Sequence, residues 1–61
     1  MEAKAKVGQI WKDKATGDKV EVIKLLQGYT KVLHKDGENY GKQESIENYK
    51  FVTKFRLVQD V

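Results

Sequence analysis

The stretch "VGQIWKDKATGDKVEV", residues 7–22, carries the strongest fold signal in this chain. Its first half places Val, Ile and Trp among polar residues, as in a half-buried strand. The "ATGD" segment at 15–18 then supplies the Gly and Asp that a tight turn needs. After the turn, Val20 and Val22 alternate with charged residues. The stretch therefore predicts two antiparallel strands joined by a tight turn.

Trp11, the only tryptophan, is either a core anchor or a flat surface for a ligand. The chain contains no cysteine, so its core has no disulfide staple and needs large apolar side chains. In the charged run 12–14, which leads into the turn, the acid Asp13 offsets part of the charge of the two lysines beside it. Three valines supply Trp11 with apolar neighbours: Val7, Val20 and Val22. We therefore expect Trp11 to be buried.

The second strand is predicted over "KVEVIKLL", residues 19–26, where strict alternation breaks down near the end. A β-bulge there would move the inward-facing set to Ile23 and Leu25, as in strands that bend around a small barrel. A helix over 19–27 is the competing interpretation. The β-branched pairs and the turn ending at Gly28 favour the strand.

A second hairpin is predicted over "YTKVLHKDGENYGK", residues 29–42. Asp36 and Gly37 lie between two extended runs, which is a strong signal for a two-residue hairpin turn. The fourth strand, over 38–44, is polar and contains Gly41, so we expect it at an edge of the sheet.

The C-terminal third predicts a short helical turn and a last strand. Ser45 fits a helix N-cap before "IENYKF", residues 46–51, whose apolar members would cover an open end of the sheet. "TKFRLVQ", residues 53–59, alternates apolar and polar residues as a fifth strand.

Together these elements predict an all-β fold, a small five-stranded antiparallel barrel with one helical turn before the last strand. The 61 residues suffice for one domain. We expect a flexible lead-in over 1–6 and a single domain over 7–61. The order of elements resembles the SH3-like barrel.

A narrower resemblance depends on residues spread over most of the chain. They are Gly8, Trp11, Asp13, Thr16, Gly17, Val20, Val22, Phe51 and Phe55. This pattern is similar to that of a group of short phage and prophage proteins of unknown function. The resemblance implies an accessory protein with an SH3-like fold that acts in the host cytoplasm, and it brings no activity to transfer.

The charge balance favours anionic partners. Twelve Lys and Arg against nine Asp and Glu give a net charge of +3, and Arg56 is the only arginine. Bidentate hydrogen bonds to guanine are made mainly by arginine, so we expect little sequence-specific base recognition. No apolar run approaches a membrane span or a signal-peptide core, which predicts a cytoplasmic protein without membrane contact.

The sequence shows no pattern of an active site. His34 is the only histidine and has no acids at metal-ligand spacing, so we expect neither a metal nor a cofactor. Four acids lie close together in sequence: Asp36, Glu38, Glu44 and Glu47. They fall on polar turns and an edge strand, where solvated charges are the ordinary interpretation. We predict that the chain is not an enzyme.

The candidate binding site is a strip of tyrosines and lysines on the second hairpin: Tyr29, Lys31, Lys35, Tyr40 and Lys42. Exposed rings that stack on bases, beside lysines that contact phosphates, are typical of small barrels that bind nucleic acid. In the alternative interpretation, the two tyrosines face each other across the hairpin and stabilise it amid solvated lysines.

Two functions follow from this strip and fold. The first is binding of nucleic acid with little sequence specificity. The second is a protein-interaction module that binds a host or phage protein through a strand edge or an aromatic groove. We expect a monomer or a weak homodimer joined through the polar fourth strand.

Overall fold

The computed structural model describes residues 5–61, so residues 1–4 of the predicted lead-in lie outside the described part. The elements are β1 (Ile10–Asp13), β2 (Lys19–Leu26), β3 (Tyr29–His34), β4 (Gln43–Glu47), α1 (Asn48–Lys54) and β5 (Phe55–Gln59). All strand pairs are antiparallel and form one sheet in the order β4-β3-β2-β1-β5. The predicted mainly β fold with five antiparallel strands and a short helix before the last strand is confirmed. Closure into an SH3-like barrel stays a prediction.

The two edges of the sheet are β4 and β5. The prediction that the polar fourth strand lies at an edge is confirmed. The last strand begins at Phe55 rather than at Thr53, because helix α1 continues to Lys54 before the backbone becomes extended.

The core combines side chains of the sheet with Phe51 of α1, and Ala5 packs against it. The ring centroids of Trp11 and Phe51 are 4.7 Å apart, and those of Phe51 and Phe55 are 5.0 Å apart. Trp11 is 2% exposed, which confirms its predicted burial. Val7 is 55% exposed, so its predicted place beside Trp11 is wrong. It precedes β1 by three residues and lies outside the sheet.

Alternation along the strands gives the sheet two faces. We call the face that carries Trp11, Val20, Val22 and Val32 the inner face, because these side chains are buried in the core. The opposite face is the outer face. Trp11 stands directly opposite Val20 in the β1–β2 pair, and Val22 opposite Val32 in the β2–β3 pair.

The predicted bulge in the second strand is confirmed, since the β2–β3 register shifts between Val22 and Lys24. The predicted inward set is wrong in part, because Ile23 is half-buried and Leu25 is 48% exposed. Leu25 does pair with the buried Thr30, but it lies near the end of β2, outside the core cluster.

The helix begins later than the predicted cap at Ser45, which lies within β4. Ser45 pairs with Lys31 in the β3–β4 ladder, and this pairing keeps the backbone extended. At the start of α1, the Asn48 backbone N–H donates to the Gly28 carbonyl at 3.1 Å. The Thr30 hydroxyl donates to Asn48 Oδ1 at 2.8 Å. These contacts with the β2–β3 turn place the helix start at Asn48.

The predicted two-residue turn at Asp36 and Gly37 is wrong, since residues 35–42 form a longer connection between β3 and β4. The fourth strand consequently begins at Gln43, and Gly41 lies in the connection rather than in the strand. By contrast, the predicted two-residue connection between β2 and β3 is confirmed.

The 35–42 connection follows from a contact with a distant part of the chain. Asp36 Oδ1 accepts a hydrogen bond from the Lys19 backbone N–H at 2.7 Å, and the Lys35 N–H donates to the Lys19 carbonyl at 2.9 Å. Gly37 follows with a φ of +80°, and a Cβ there would collide with the Asp18 carboxylate. The Asp–Gly pair therefore ties the chain to the start of β2.

A buried amide joins the two ends of the described chain. Gln9 Oε1 accepts hydrogen bonds from the Lys6 backbone N–H at 2.7 Å and from the Trp11 indole N–H at 3.0 Å. Gln9 Nε2 donates to Asp60 Oδ1 at 2.8 Å. This satisfies the polar edge of the buried indole.

Candidate functional site

The structure divides the predicted tyrosine and lysine strip into separate groups. Tyr29 and Lys31 lie on the outer face of β3, whereas Tyr40 and Lys42 lie in the connection after β3. Tyr29 begins β3 and that connection follows its end, so about 17 Å of strand separates them. The prediction that Tyr29 and Tyr40 face each other across the hairpin is therefore wrong. Asp36 draws the chain toward β2 and keeps Tyr40 out of β4.

Lys35, the remaining predicted residue, is part of an ion pair. Its Nζ lies 3.3 Å from Glu21 Oε1. The other outer-face acid is Glu47 of the edge strand β4. Its Oε1 lies 3.3 Å from Lys50 Nζ, and their hydrogen bond raises the pKa of Lys50. Both outer-face glutamates are thus engaged by lysines from outside the strands.

Five cations stand directly opposite one another on the outer face. Lys12 pairs with Lys19 on one side and with Arg56 on the other, and Lys24 pairs with Lys31. Within residues 5–61, no carboxylate lies at ion-pair distance from any of them. Like charges directly opposite each other destabilise a sheet. We call these five residues the cationic face.

Of these five residues, only Lys31 belonged to the predicted strip. Lys12 was left out because the run 12–14 was treated as nearly neutral. Asp13 Oδ1 accepts hydrogen bonds from the backbone N–H groups of Ala15 and Thr16 at 2.7 and 3.2 Å. Its Oδ2 lies 3.9 Å from Lys54 Nζ. The carboxylate thus shapes the turn instead of pairing with the lysines beside it in sequence. Alternation within the first hairpin was the signal that could have placed Lys12 outward.

The end of β1 forms a shallow concavity lined by residues 12–17 and Arg56. Gly17 has a φ of +83°, and a Cβ there would lie 3.7 Å from Lys12 Cε. The Lys12 side chain therefore runs along the turn. The Lys14 N–H donates to the Lys54 carbonyl at 3.0 Å, which fixes the turn against the end of α1.

The acids considered for acid–base chemistry make contacts that serve the fold. Glu44 Oε1 lies 3.0 Å from His34 Nε2, Glu47 pairs with Lys50, and Asp36 caps the start of β2. Among residues 5–61, no three His, Asp or Glu side chains are grouped so as to hold a metal ion.

A second exposed feature lies at the opposite end of the sheet from the first turn. Leu25, Leu26 and Tyr29 are exposed around the β2–β3 turn, and Tyr49 of α1 is exposed as well. We call these four residues the apolar end. Because Tyr29 precedes Lys31 by two residues on β3, its ring lies on the outer face of the sheet, as the five cations do.

Comparison with protein-family models, curated proteins and solved structures gave no match to this chain. In the part of the chain that the structure describes, no helix is long and apolar enough to cross a membrane.

Proposed function

We propose that this chain is a small non-enzymatic module that binds nucleic acid with little sequence specificity through its outer face. One observation carries the proposal. Five cations lie directly opposite one another across four strands, and no carboxylate of the described residues is paired with them. Such an arrangement weakens the sheet unless an anion lies over it.

A phosphate backbone is the anion that fits this surface best. Adjacent strands are about 4.8 Å apart, so Lys19, Lys12 and Arg56 form a row of positive charge across three strands. Lys24 and Lys31 form a second cationic pair beyond Glu21, which is itself paired with Lys35. Lysines that neutralise phosphates release condensed counterions and bind without reading the bases. With Arg56 as the only arginine, base-specific pairing is limited.

Tyr29 adds a ring beside the Lys24–Lys31 pair. It is 44% exposed and shares the outer face with Lys31. A base of a single strand whose phosphates contact Lys31 and Lys24 can stack on this ring, and stacking of this kind tolerates any base. We therefore propose single-stranded nucleic acid as the preferred form. Tyr40 and Lys42 lie too far from Tyr29 to take part in the same contact.

The resemblance to small phage and prophage proteins remains part of the proposal. In that setting, a host or phage protein is the second candidate partner. The apolar end supports this alternative, because exposed leucines beside exposed tyrosines are typical of protein-binding surfaces.

The test is the binding of fluorescent oligonucleotides, single- and double-stranded, over a range of salt concentrations. We expect the logarithm of the binding constant to fall linearly with the logarithm of salt concentration, more steeply as more phosphates are contacted. The double variant Lys24→Gln, Lys31→Gln should lower that slope by about 2. Lys24→Gln and Lys31→Gln are also made as single variants, and their matched control is Lys42→Gln, which removes the same charge away from the cationic face.

Absence of oligonucleotide binding at low salt would exclude the proposed function. Equal losses in Lys42→Gln and in the single variants Lys24→Gln and Lys31→Gln would show that net charge, and not the cationic face, controls binding. If oligonucleotides do not bind, capture of a partner from a nuclease-treated bacterial lysate that Leu26→Ser abolishes would favour the protein-interaction module.

A further inference from the structure

We propose that Lys12, Lys14 and Arg56 form a binding site for a phosphate group in the concavity at the end of β1. The proposal deepens the proposed function, and it depends on that function for the claim that the phosphate belongs to a nucleic-acid backbone. The site would hold one phosphate in a defined position, whereas the rest of the cationic face attracts the backbone without positioning it.

The three cations come together at this concavity from two ends of the chain. Lys12 and Arg56 are direct partners in the β1–β5 ladder, so both side chains leave the sheet on the outer face. A Cβ at Gly17 would lie 3.7 Å from Lys12 Cε, so the lysine side chain runs along the turn. Lys14 lies at the rim, where its backbone is tied to the end of α1.

The carboxylate in this concavity does not neutralise the three cations. Asp13 Oδ1 is occupied by the N–H groups of Ala15 and Thr16, and its nearest cation is Lys54. Lys54 Nζ thus balances the Asp13 charge from the helix side. Lys12, Lys14 and Arg56 remain without a carboxylate partner among residues 5–61.

Arg56 makes phosphate the ligand that suits this site. A guanidinium presents five N–H donors in a planar fork that can bind two phosphate oxygens at once, and the lysines add point charges beside it. The chain places its only arginine here, directly opposite Lys12. If Arg56 served only the fold, two like charges directly opposite each other would weaken the β1–β5 pair.

The first experiment titrates the full chain with pyrophosphate and records backbone amide resonances, with sodium chloride at matched ionic strength as the control. We expect saturable shifts at Ala15, Thr16 and Gly17 with pyrophosphate alone. Arg56→Gln should weaken this binding about tenfold, and Arg56→Lys, which keeps the charge but loses the fork, should lie between. Lys42→Gln is the matched control and should leave the shifts unchanged.

The second experiment uses a single-stranded oligonucleotide to identify the source of the phosphate. We expect Arg56→Gln to weaken oligonucleotide binding about tenfold and to reduce its salt slope by about 1. Thermal unfolding of Arg56→Gln should show a melting temperature at or above that of the parent chain, which separates lost binding from lost folding.

The outcomes are distinguishable. Pyrophosphate that shifts no resonance of the turn, or that binds Arg56→Gln as tightly as the parent, overturns the phosphate site. Pyrophosphate bound at the turn without any oligonucleotide binding overturns the nucleic-acid source and the proposed function, and leaves a site for a free phosphate. If the parent and Arg56→Gln bind the oligonucleotide equally well, the proposed function is retained. The claim that this site holds a phosphate of the nucleic-acid backbone is then overturned.

Discussion

The inner and outer faces of the sheet are built from alternate residues of the same strands, yet opposite forces act on them. On β1 and β2, the buried pair of Trp11 and Val20 is followed by the exposed pair of Lys12 and Lys19. The first pair stabilises the fold by removing apolar surface from water, whereas the second opposes it by like-charge repulsion. The outer face therefore has a composition that folding alone does not explain.

The largest expected effect is on the inner face. Phe51→Ala should lower the free energy of unfolding by about 3–5 kcal/mol, because Phe51 contacts both Trp11 and Phe55 in the core. This is a large share of the roughly 3–9 kcal/mol expected for a chain of this length. Urea unfolding followed by Trp11 fluorescence measures it.

Tyr49→Ala is the matched control, since Tyr49 is an aromatic residue of the same helix and is 65% exposed. Tyr49→Ala should lower the free energy of unfolding by only about 0.5 kcal/mol. If Phe51→Ala does not fold, Phe51→Leu replaces it and should still cost more than the Tyr49 variant. Equal costs at the two positions would contradict the assignment of Phe51 to the core.

The next effect concerns the 35–42 connection between β3 and β4. Gly37→Ala and Gly41→Ala both place a side chain at positive φ, which costs about 1–2 kcal/mol each. Only at Gly37 does the new Cβ meet the Asp18 carboxylate, whereas nothing lies within 4 Å at Gly41. We therefore expect the Gly37 variant to have the lower melting temperature. The reverse order would show that the 35–42 connection is not held against β2.

A smaller effect of opposite sign is expected on the outer face. Lys24→Glu places an acid directly opposite Lys31 and should raise the free energy of unfolding by about 0.2–1 kcal/mol. The same variant should weaken oligonucleotide binding. Lys42→Glu, the control, should change neither quantity by as much. A Lys24→Glu variant less stable than the parent would mean that the outer face supports the fold after all.

The smallest effect is a pH dependence at the contact behind Trp11. The hydrogen bond from the Gln9 amide, with the Val61 N–H and the charge of Lys6, holds the pKa of Asp60 below its ordinary value. A carboxyl whose pKa is lower in the folded chain than in the unfolded chain stabilises the fold at pH values above its unfolded pKa of about 4. That contribution is lost as the pH falls through the folded pKa.

Comparison of Asp60→Asn with the parent chain in urea unfolding at pH 6 and at pH 3 tests this sign. The difference in stability between the two chains should be larger at pH 6 than at pH 3. An equal difference at both pH values would show that the contact with Gln9 does not lower the pKa of Asp60.

The features that could be predicted from the sequence rest on local patterns. The buried Trp11, the bulge near Ile23 and the turn ending at Gly28 follow from alternation and turn residues within a few positions. The use of Asp36 could not be predicted in this way, because its carboxylate binds the backbone of Lys19, seventeen residues away. A local turn signal was outweighed there by a non-local hydrogen bond.

The same division explains the candidate site. Tyr29 and Lys31 were found because they are two residues apart on one strand, which fixes a common face. Tyr40 was misplaced because its position depends on the Asp36 contact. The pairing of Arg56 with Lys12 was missed because no local pattern relates residues so far apart in sequence.

Alternation of apolar and charged residues, a property of neighbouring positions in an extended backbone, was thus sufficient to predict the mainly β class and the side chains that share a face. Which strands become neighbours depends on packing across the whole chain. Contacts among the rings of Trp11, Phe51 and Phe55 accompany the placement of β5 beside β1, and that placement sets Arg56 opposite Lys12. The folded core therefore assembles the cationic face, because burial of aromatic surface outweighs the repulsion between the cations outside it.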